Sequence, residues 1–233
     1  MRVIAIIPAR GGSKGLKRKN VRKLRGKKLI QWTIDAAVAS TVITDVVVSS
    51  DDREILKIAS ANEGVRCIER PSKLATDSAT SADVVTHALE VCSPSDYFVL
   101  LQPTSPLRTG RHIDEAFELM LKSTRNGCVS VTRAEQSPYW MFERKSDMTL
   151  SPVLKSWDVP SRRQDLPEVF VPNGAIYICQ SDYFKRAGTL IFETVVGYEM
   201  RAESSIDIDT LEDFEACELQ LEKQRNTGGG NVH

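Results

Sequence analysis

The stretch IIPARGGSKGLKRKN, from Ile6 to Asn20, combines glycines with positive charge and contains no carboxylate. Glycines allow backbone N–H groups to approach an anion, so this composition directly after an apolar run is typical of a phosphate site. Six residues could hold the anion: Arg10, Gly11, Gly12, Ser13, Lys14 and Lys19. A cation 4 Å from a phosphate oxygen contributes about 4 kcal/mol at an intermediate effective dielectric. Three such cations could hold a nucleotide after desolvation losses.

The loop matches neither of the two most common phosphate-binding motifs, G-x-x-x-x-G-K-[ST] and G-x-G-x-x-G. A basic surface loop or an RNA-binding patch is the alternative. Against it, no aromatic side chains interleave with the basic ones to stack on bases. The formal net charge is zero, and the positive charge is local. Residues 1–28 hold eleven Lys or Arg and no acidic residue, whereas the remainder holds twenty basic and thirty-one acidic residues.

The stretch SIDIDT, from Ser205 to Thr210, places two carboxylates two residues apart. In an extended segment this spacing turns Asp207 and Asp209 to the same side. Such a pair could hold a hard divalent cation that shares its oxygen ligands with substrate phosphates. Asp209 also precedes Thr210, which begins a T-x-x-D helix cap, so a purely structural role at the helix N-terminus is the alternative.

Polar side chains elsewhere could contact a polar substrate. Gln102 ends the apolar stretch YFVLLQ, at the sheet edge where parallel strands present ligand-binding loops. Thr104 and Ser105 follow in a proline-flanked turn, for which we expect a structural role. Asn173 and Tyr177 would face the same way in a strand and could contact hydroxyl and acyl groups of a sugar. An edge strand with an ordinary aromatic residue is the alternative.

Alternating strand and helix patterns position these residues. Apolar β-branched runs predict strands at Arg2–Pro8, Asp45–Ser49, Val65–Ile68, Tyr97–Gln102, Cys128–Thr132, Gly174–Cys179 and Thr194–Met200. Helical periodicity and caps predict helices at Lys28–Ala39, Asp52–Asn62, Ser81–Val91, Arg111–Lys122 and Thr210–Glu222. Asp51 and Asp52 are interpreted as residues that start the second helix. This alternation of strands and helices predicts an α/β fold with a parallel sheet covered on both faces.

Length and composition predict one domain, residues 1–225, with an excursion at 136–170 that is rich in proline and aromatic residues. The tail 226–233 is predicted to be disordered. Five dispersed cysteines suggest neither a zinc site nor a disulfide framework, and three scattered histidines indicate no catalytic base. Neither a secretory signal nor an apolar run long enough to span a membrane is found, so we expect a cytoplasmic protein.

The glycine loop and five later stretches resemble the acylneuraminate cytidylyltransferases, the CMP-sialic acid synthetase family. The later stretches, in the family's order, are ERPSKLATDSATS, LLQPTSPLR, SRRQDLP, VPNGAIYI and SIDIDT. The resemblance covers nearly the whole chain. It implies a Rossmann-like nucleotidyltransferase with a mainly parallel sheet, in which the excursion is a dimerisation arm of a homodimer. It also implies transfer of CMP from CTP to a nine-carbon 2-keto sugar acid, with no nucleic acid or membrane as partner.

The resemblance also assigns roles to matched residues. The loop would wrap the CTP triphosphate, with Arg10, Lys14 and Lys19 as catalytic cations and Asn20 in the nucleotide site. Arg70 and Ser81 would help hold the cytidine half. Asp207 and Asp209 would bind the catalytic Mg²⁺. Gln102, Asn173 and Tyr177 would contact the sugar acid, and Arg163 would reach the partner subunit's cleft, where arginine suits a substrate carboxylate.

Three questions stay open at this point. N-acetylneuraminate or legionaminate is the expected acceptor, with pseudaminate or an eight-carbon keto acid as the alternative. A non-catalytic nucleotide-binding regulator is the alternative of another class. No residue identifies itself as the general base.

Overall fold

The computed structural model describes residues 1–12, 15–154, 160 and 162–228. Ser13 and Lys14, predicted in the nucleotide site, lie outside the described residues. A seven-stranded sheet in the order β11-β7-β10-β6-β1-β4-β5 forms the centre, and all its strands except β10 run in one direction. The mainly parallel α/β fold predicted from the sequence is therefore confirmed.

The strands are short, and most follow the predicted runs. Their bounds are β1 Val3–Pro8, β2 Lys23–Leu24, β3 Lys27–Lys28, β4 Asp45–Ser50, β5 Val65–Glu69, β6 Tyr97–Leu100, β7 Gly127–Arg133, β8 Phe142–Arg144, β9 Leu150–Pro152, β10 Phe170–Gln180 and β11 Val196–Glu199. The hairpins β2–β3 and β8–β9 were not predicted. β10 begins four residues before the predicted start and contains a bulge between Pro172 and Tyr177.

Six helices flank the sheet in the described part of the chain. They are α1 Leu29–Val38, α2 Arg53–Ser60, α3 Ser81–Val91, α4 Gly110–Lys122, α5 Ser181–Ala187 and α6 Leu211–Gly228. Helix α5 was not predicted from the sequence, and α6 runs past residue 225, the predicted end of the domain. No helix of the described chain is both long and apolar enough to cross a membrane.

The core has one layer on each face of the sheet, because side chains alternate along each strand. Val3, Ala5 and Ile7 of β1 pack against α1, α2 and α4, whereas Ile4 and Ile6 pack against α3 and α5. Strands buried on both faces need continuous apolar runs, which explains why RVIAIIP and YFVLL show no alternation.

A third apolar cluster fixes the loops at the end of the sheet. Leu16 from the glycine loop and Ile208 from the SIDIDT segment pack with Phe214, Cys217 and Leu221 of α6. Ile208 is completely buried. The glycine loop and the SIDIDT segment are therefore held together by one small apolar core.

Candidate active site

A cleft of about 420 Å³ opens at the carboxyl ends of β1 and β6. β4 lies on one side of β1 and β6 on the other, so the cleft is at a switch point of the strand order, where such sheets bind ligands. Its lining includes Arg10, Gly15, Lys19, Asn20, Arg70, Asp77, Thr80, Ser81, Gln102, Thr104, Asp207 and Asp209. The structure thus brings together predicted residues that are up to about 200 positions apart in the chain.

The glycine loop is fastened through its backbone. Gly11 N donates to Asp51 Oδ1 at 3.0 Å, and Asn20 Nδ2 donates to the Arg10 carbonyl at 3.0 Å. A Cβ on Gly11 would lie 2.7 Å from Asp52 Oδ2, so a side chain there would force the helix-capping Asp52 to move. The interpretation of Asp51 as a helix-starting residue was wrong: Asp52 caps α2 by accepting from two backbone N–H groups, and Asp51 braces the loop.

Lys19 joins the loop to the two aspartates. Its Nζ donates to the Ile208 carbonyl at 2.7 Å and to Asp209 Oδ1 at 2.8 Å. Gly15 packs so closely on this segment that a Cβ there would lie 2.2 Å from the Asp209 carbonyl oxygen. Ile208 points into the apolar cluster, so Asp207 and Asp209 both line the cleft, as the spacing of two requires.

Asp207 and Asp209 are both exposed to solvent in the open cleft. Partial loss of hydration raises the pKa of Asp207, and the charge of Asp209 adds to the rise, whereas the Thr104 side chain and the charge of Lys19 oppose it. Two neighbouring carboxylates repel each other, and a bound cation would relieve this repulsion. No cluster of three or more His, Cys, Asp or Glu suited to a metal occurs among the described residues. Two carboxylates nevertheless suffice for Mg²⁺, which usually completes its shell with water and substrate phosphates.

The remaining cations of the cleft are held in different ways. Arg10 Nη1 donates to Asp77 Oδ1 at 2.7 Å in a partly exposed ion pair. Arg70 is buried, and its Nη2 donates to the Ser49 carbonyl at 2.6 Å. Burial lowers the pKa of Arg70 to about 10, and the charge of Asp51 opposes this shift. The cleft therefore contains positive charge at Arg10, Lys19 and Arg70 and negative charge at Asp77, Asp207 and Asp209.

Three predicted substrate contacts do not line the cleft within one chain. Asn173 is 6% exposed, with its amide bonded inside the protein. Tyr177 packs against the core on the α3 and α5 face, and burial, together with the charge of Asp207, raises its pKa. Arg163 is exposed and donates from Nη2 to the Glu135 carbonyl at 2.9 Å, beside a separate depression.

Three polar residues of this site were not predicted from the sequence as part of it. Asp51 accepts a hydrogen bond from the glycine loop, Asp77 pairs with Arg10, and the Thr104 side chain lowers the pKa of Asp207. Thr104 was interpreted as a turn residue, but it also lines the cleft, and its carbonyl accepts from Ile208 N at 2.8 Å. Each of these interactions joins segments that are far apart in the chain, so local sequence patterns do not predict it.

Comparison with known proteins identifies a family whose model matches nearly the whole chain. The family model described as cytidylyltransferase matches residues 4–224. An N-acylneuraminate cytidylyltransferase from Streptococcus agalactiae is 38% identical over 216 residues, which cover 92% of this chain and 52% of the relative. The chain thus spans about half the length of this relative. Post-translational flagellin modification protein B from Campylobacter coli is 29% identical, and the match covers 96% of each chain.

A solved structure supports the fold independently. The structure of CMP:2-keto-3-deoxy-manno-octonic acid synthetase complexed with CTP matches with a TM-score of 0.72 at 17% identity. The match covers 96% of this chain and 100% of the other. At this identity the likeness concerns the fold alone, and it confirms the predicted Rossmann-like fold with a mainly parallel sheet.

Proposed function

The chain belongs to the cytidylyltransferase family, and from this premise we propose that it transfers CMP from CTP to the anomeric hydroxyl of a nine-carbon 2-keto sugar acid, releasing pyrophosphate. One observation carries the proposal: Arg10, Lys19 and Arg70 share a cleft with Asp207 and Asp209. The cations suit a triphosphate, and the two carboxylates suit a divalent cation that shares phosphate oxygens.

The acceptor is argued from the named relatives and from the resemblance. The match to an N-acylneuraminate cytidylyltransferase supports a sialic acid-like acceptor, for which we propose N-acetylneuraminate or legionaminate. The match to a flagellin modification protein along nearly its whole length supports keeping pseudaminate as a second candidate. These sugar acids differ in stereochemistry and acyl groups, which a few side chains of the pocket distinguish. An experiment with each acid therefore decides between them.

The residues of the cleft divide into two groups in this proposal. Arg10, Lys19 and backbone N–H groups of the glycine loop hold the triphosphate and stabilise the departing pyrophosphate; the Gly11 N–H is not among them, because it donates to Asp51. Arg70 and Ser81 line the same cleft and hold the cytidine half. Gln102, at the end of β6 and close to Asp207, contacts the sugar acid.

Asp207 and Asp209 would hold Mg²⁺ in this proposal. When bound, the ion neutralises phosphate charge and lowers the pKa of a coordinated hydroxyl. Lys19 contacts Asp209 and the carbonyl between the two aspartates, so it fixes the orientation of this segment towards the phosphates.

In the reaction, the anomeric oxygen attacks the α-phosphorus in line. The bond from the α-phosphorus to its bridging oxygen breaks, pyrophosphate leaves with that electron pair, and the hydroxyl proton passes to water. Positioning and charge neutralisation dominate such transfers, so little covalent help is needed. Lys19 is a poor candidate for the base, because its Nζ donates to two oxygens. His87 and His112 do not line the cleft.

We propose further that the excursion between β7 and β10 forms a homodimer interface. Among its described residues, the exposed apolar side chains are Trp140, Met141, Phe142, Met148, Leu150, Val153 and Leu154. A patch of this kind favours a protein partner, and Arg163 would then serve the cleft of the second copy. Mixing Arg163→Ala with Asp209→Ala subunits tests this, because one intact site per heterodimer should restore activity. A mixture as inactive as its two components contradicts it.

Pyrophosphate release tests the function. Purified protein with CTP and Mg²⁺ is assayed with N-acetylneuraminate, legionaminate, pseudaminate and octulosonate, and with EDTA and ATP as controls. We expect turnover with one nine-carbon acid, abolished by EDTA and absent with ATP. CTP binding without turnover on any acid would contradict the proposal and favour a nucleotide-binding regulator.

A further inference from the structure

We propose that Asn173 is a positioning residue that holds the segment from Ser205 to Asp209 in place and makes no contact with the sugar acid. The inference rests on the proposed function in taking Asp207 and Asp209 as the cation-binding pair. It replaces the sugar contact that the resemblance implies for Asn173.

The side-chain amide of Asn173 has no hydrogen-bonding capacity left for a ligand. Oδ1 accepts from Ser130 Oγ at 2.6 Å and from Ala175 N at 3.2 Å. Nδ2 donates to Ser205 Oγ at 2.9 Å and to Met200 Sδ at 3.3 Å. A primary amide offers two acceptor sites and two donors, and all four are used. A sugar could contact this amide only if one of these buried bonds broke.

One of these bonds leads directly to the carboxylate segment. Ser205 Oγ accepts from Asn173 and donates its own hydrogen to the Arg201 carbonyl at 2.8 Å. This bond anchors the start of the segment to β10, while Ile208 anchors its middle in the apolar cluster. Asp207 lies between these two anchors, so its position depends on both.

A second connection passes through the backbone of the neighbouring glycine. Because Asn173 Oδ1 accepts from Ala175 N, the side chain bridges Gly174 and fixes its left-handed conformation, with φ of +76°. A Cβ on Gly174 would lie 2.8 Å from Gln102 Oε1 and 3.4 Å from Asp207 Oδ2. The bulge that Asn173 organises therefore lies directly against two cleft residues.

The test separates a positioning role from a sugar contact. We expect Asn173→Ala and Ser205→Ala each to lower kcat and to raise the Mg²⁺ concentration for half-maximal activity, both by about tenfold, the low end for residues that support metal ligands. The KM for the sugar acid should stay within about twofold. Because both variants break one chain of bonds, the double variant should be no worse than Asn173→Ala alone.

Binding of Mn²⁺ in the presence of CTP, followed by electron paramagnetic resonance, gives a readout without turnover. We expect the Mn²⁺ dissociation constant to rise about tenfold in Asn173→Ala and Ser205→Ala, and not in Gln102→Ala, the comparison for a sugar contact. If Asn173→Ala fails to fold by circular dichroism, Ser205→Ala decides. A raised sugar KM with unchanged Mn²⁺ binding in Asn173→Ala, or wild-type behaviour of Ser205→Ala, overturns the inference. If no acid is turned over, Mn²⁺ binding still tests the inference, so the two failures are distinguishable.

Discussion

Replacing Gly174 with alanine should separate backbone strain from crowding of the site. Gly174 has φ of +76° and Gly188, at the C-cap of α5, has φ of +66°. A left-handed conformation costs a residue with a Cβ about 1–2 kcal/mol. For a chain of this size that corresponds to a Tm lower by roughly 2–8 °C. Gly188→Ala is the matched control, because nothing lies within 4 Å of its added Cβ.

The added methyl group at position 174 has a second effect that the control lacks. Its distance of 2.8 Å from Gln102 Oε1 is too short, whereas 3.4 Å from Asp207 Oδ2 is an ordinary contact. The amide end of Gln102 therefore moves and the carboxylate stays. Loss of one neutral hydrogen bond to the sugar acid costs about 0.5–1.5 kcal/mol. That corresponds to a fall in kcat/KM for the acid of roughly 2- to 13-fold.

Steady-state kinetics for each substrate, together with thermal melts, check both effects. We expect both variants to lose stability, and Gly174→Ala alone to lose kcat/KM for the sugar acid while its KM for CTP stays unchanged. If kcat/KM in Gly174→Ala matches that in Gly188→Ala, the close approach to Gln102 has no functional meaning and the reasoning fails.

Three further changes test other contacts of the cleft. Asp77→Asn should free Arg10 to contact the triphosphate. Because an exposed ion pair contributes about 0.2–1 kcal/mol, the CTP dissociation constant measured by calorimetry should fall by roughly 1.4- to 5-fold. A rise in this constant would contradict the prediction. Gly15→Ala would put a Cβ 2.2 Å from the Asp209 carbonyl oxygen. Because displacement of about 1 Å can cost 100-fold in rate, kcat/KM for CTP should fall by about that factor, and an unchanged value would refute the close packing. Asp209→Ala should lower kcat by about 10²–10³-fold with CTP binding still measurable, and undiminished turnover would exclude the carboxylate as a metal ligand.

Local signals in the sequence were sufficient for much of the fold. Helix α3 begins and ends where predicted, at Ser81 and Val91, because Thr80 and Asp83 form a capping box that fixes its start. Apolar runs identified the central strands, since strands buried on both faces have no polar positions. The two aspartates of SIDIDT reach the cleft, because a period of two is a property of extended backbone itself.

Other features depended on the tertiary structure and were not predictable from local pattern. The expectation that Asn173 and Tyr177 face the same way was wrong, because Gly174 introduces a bulge with positive φ between them. Asp77 and Arg10 are far apart in sequence, and their ion pair exists only because the β1 and β5 loops meet over the sheet. Neither the composition of the sequence nor the spacing of its residues predicts contacts of this kind.

The excursion joins the sheet as a closed unit. Residues 134–169 leave β7 after Arg133 and return at Phe170, and these two residues lie opposite each other in the antiparallel pairing of β7 with β10. Because its two ends are neighbours on the sheet, the segment can be lengthened, shortened or exchanged between homologues while the strands keep their register. In the proposed homodimer, an exchange of this segment would alter subunit association and acceptor choice and leave the nucleotide half of the cleft unchanged.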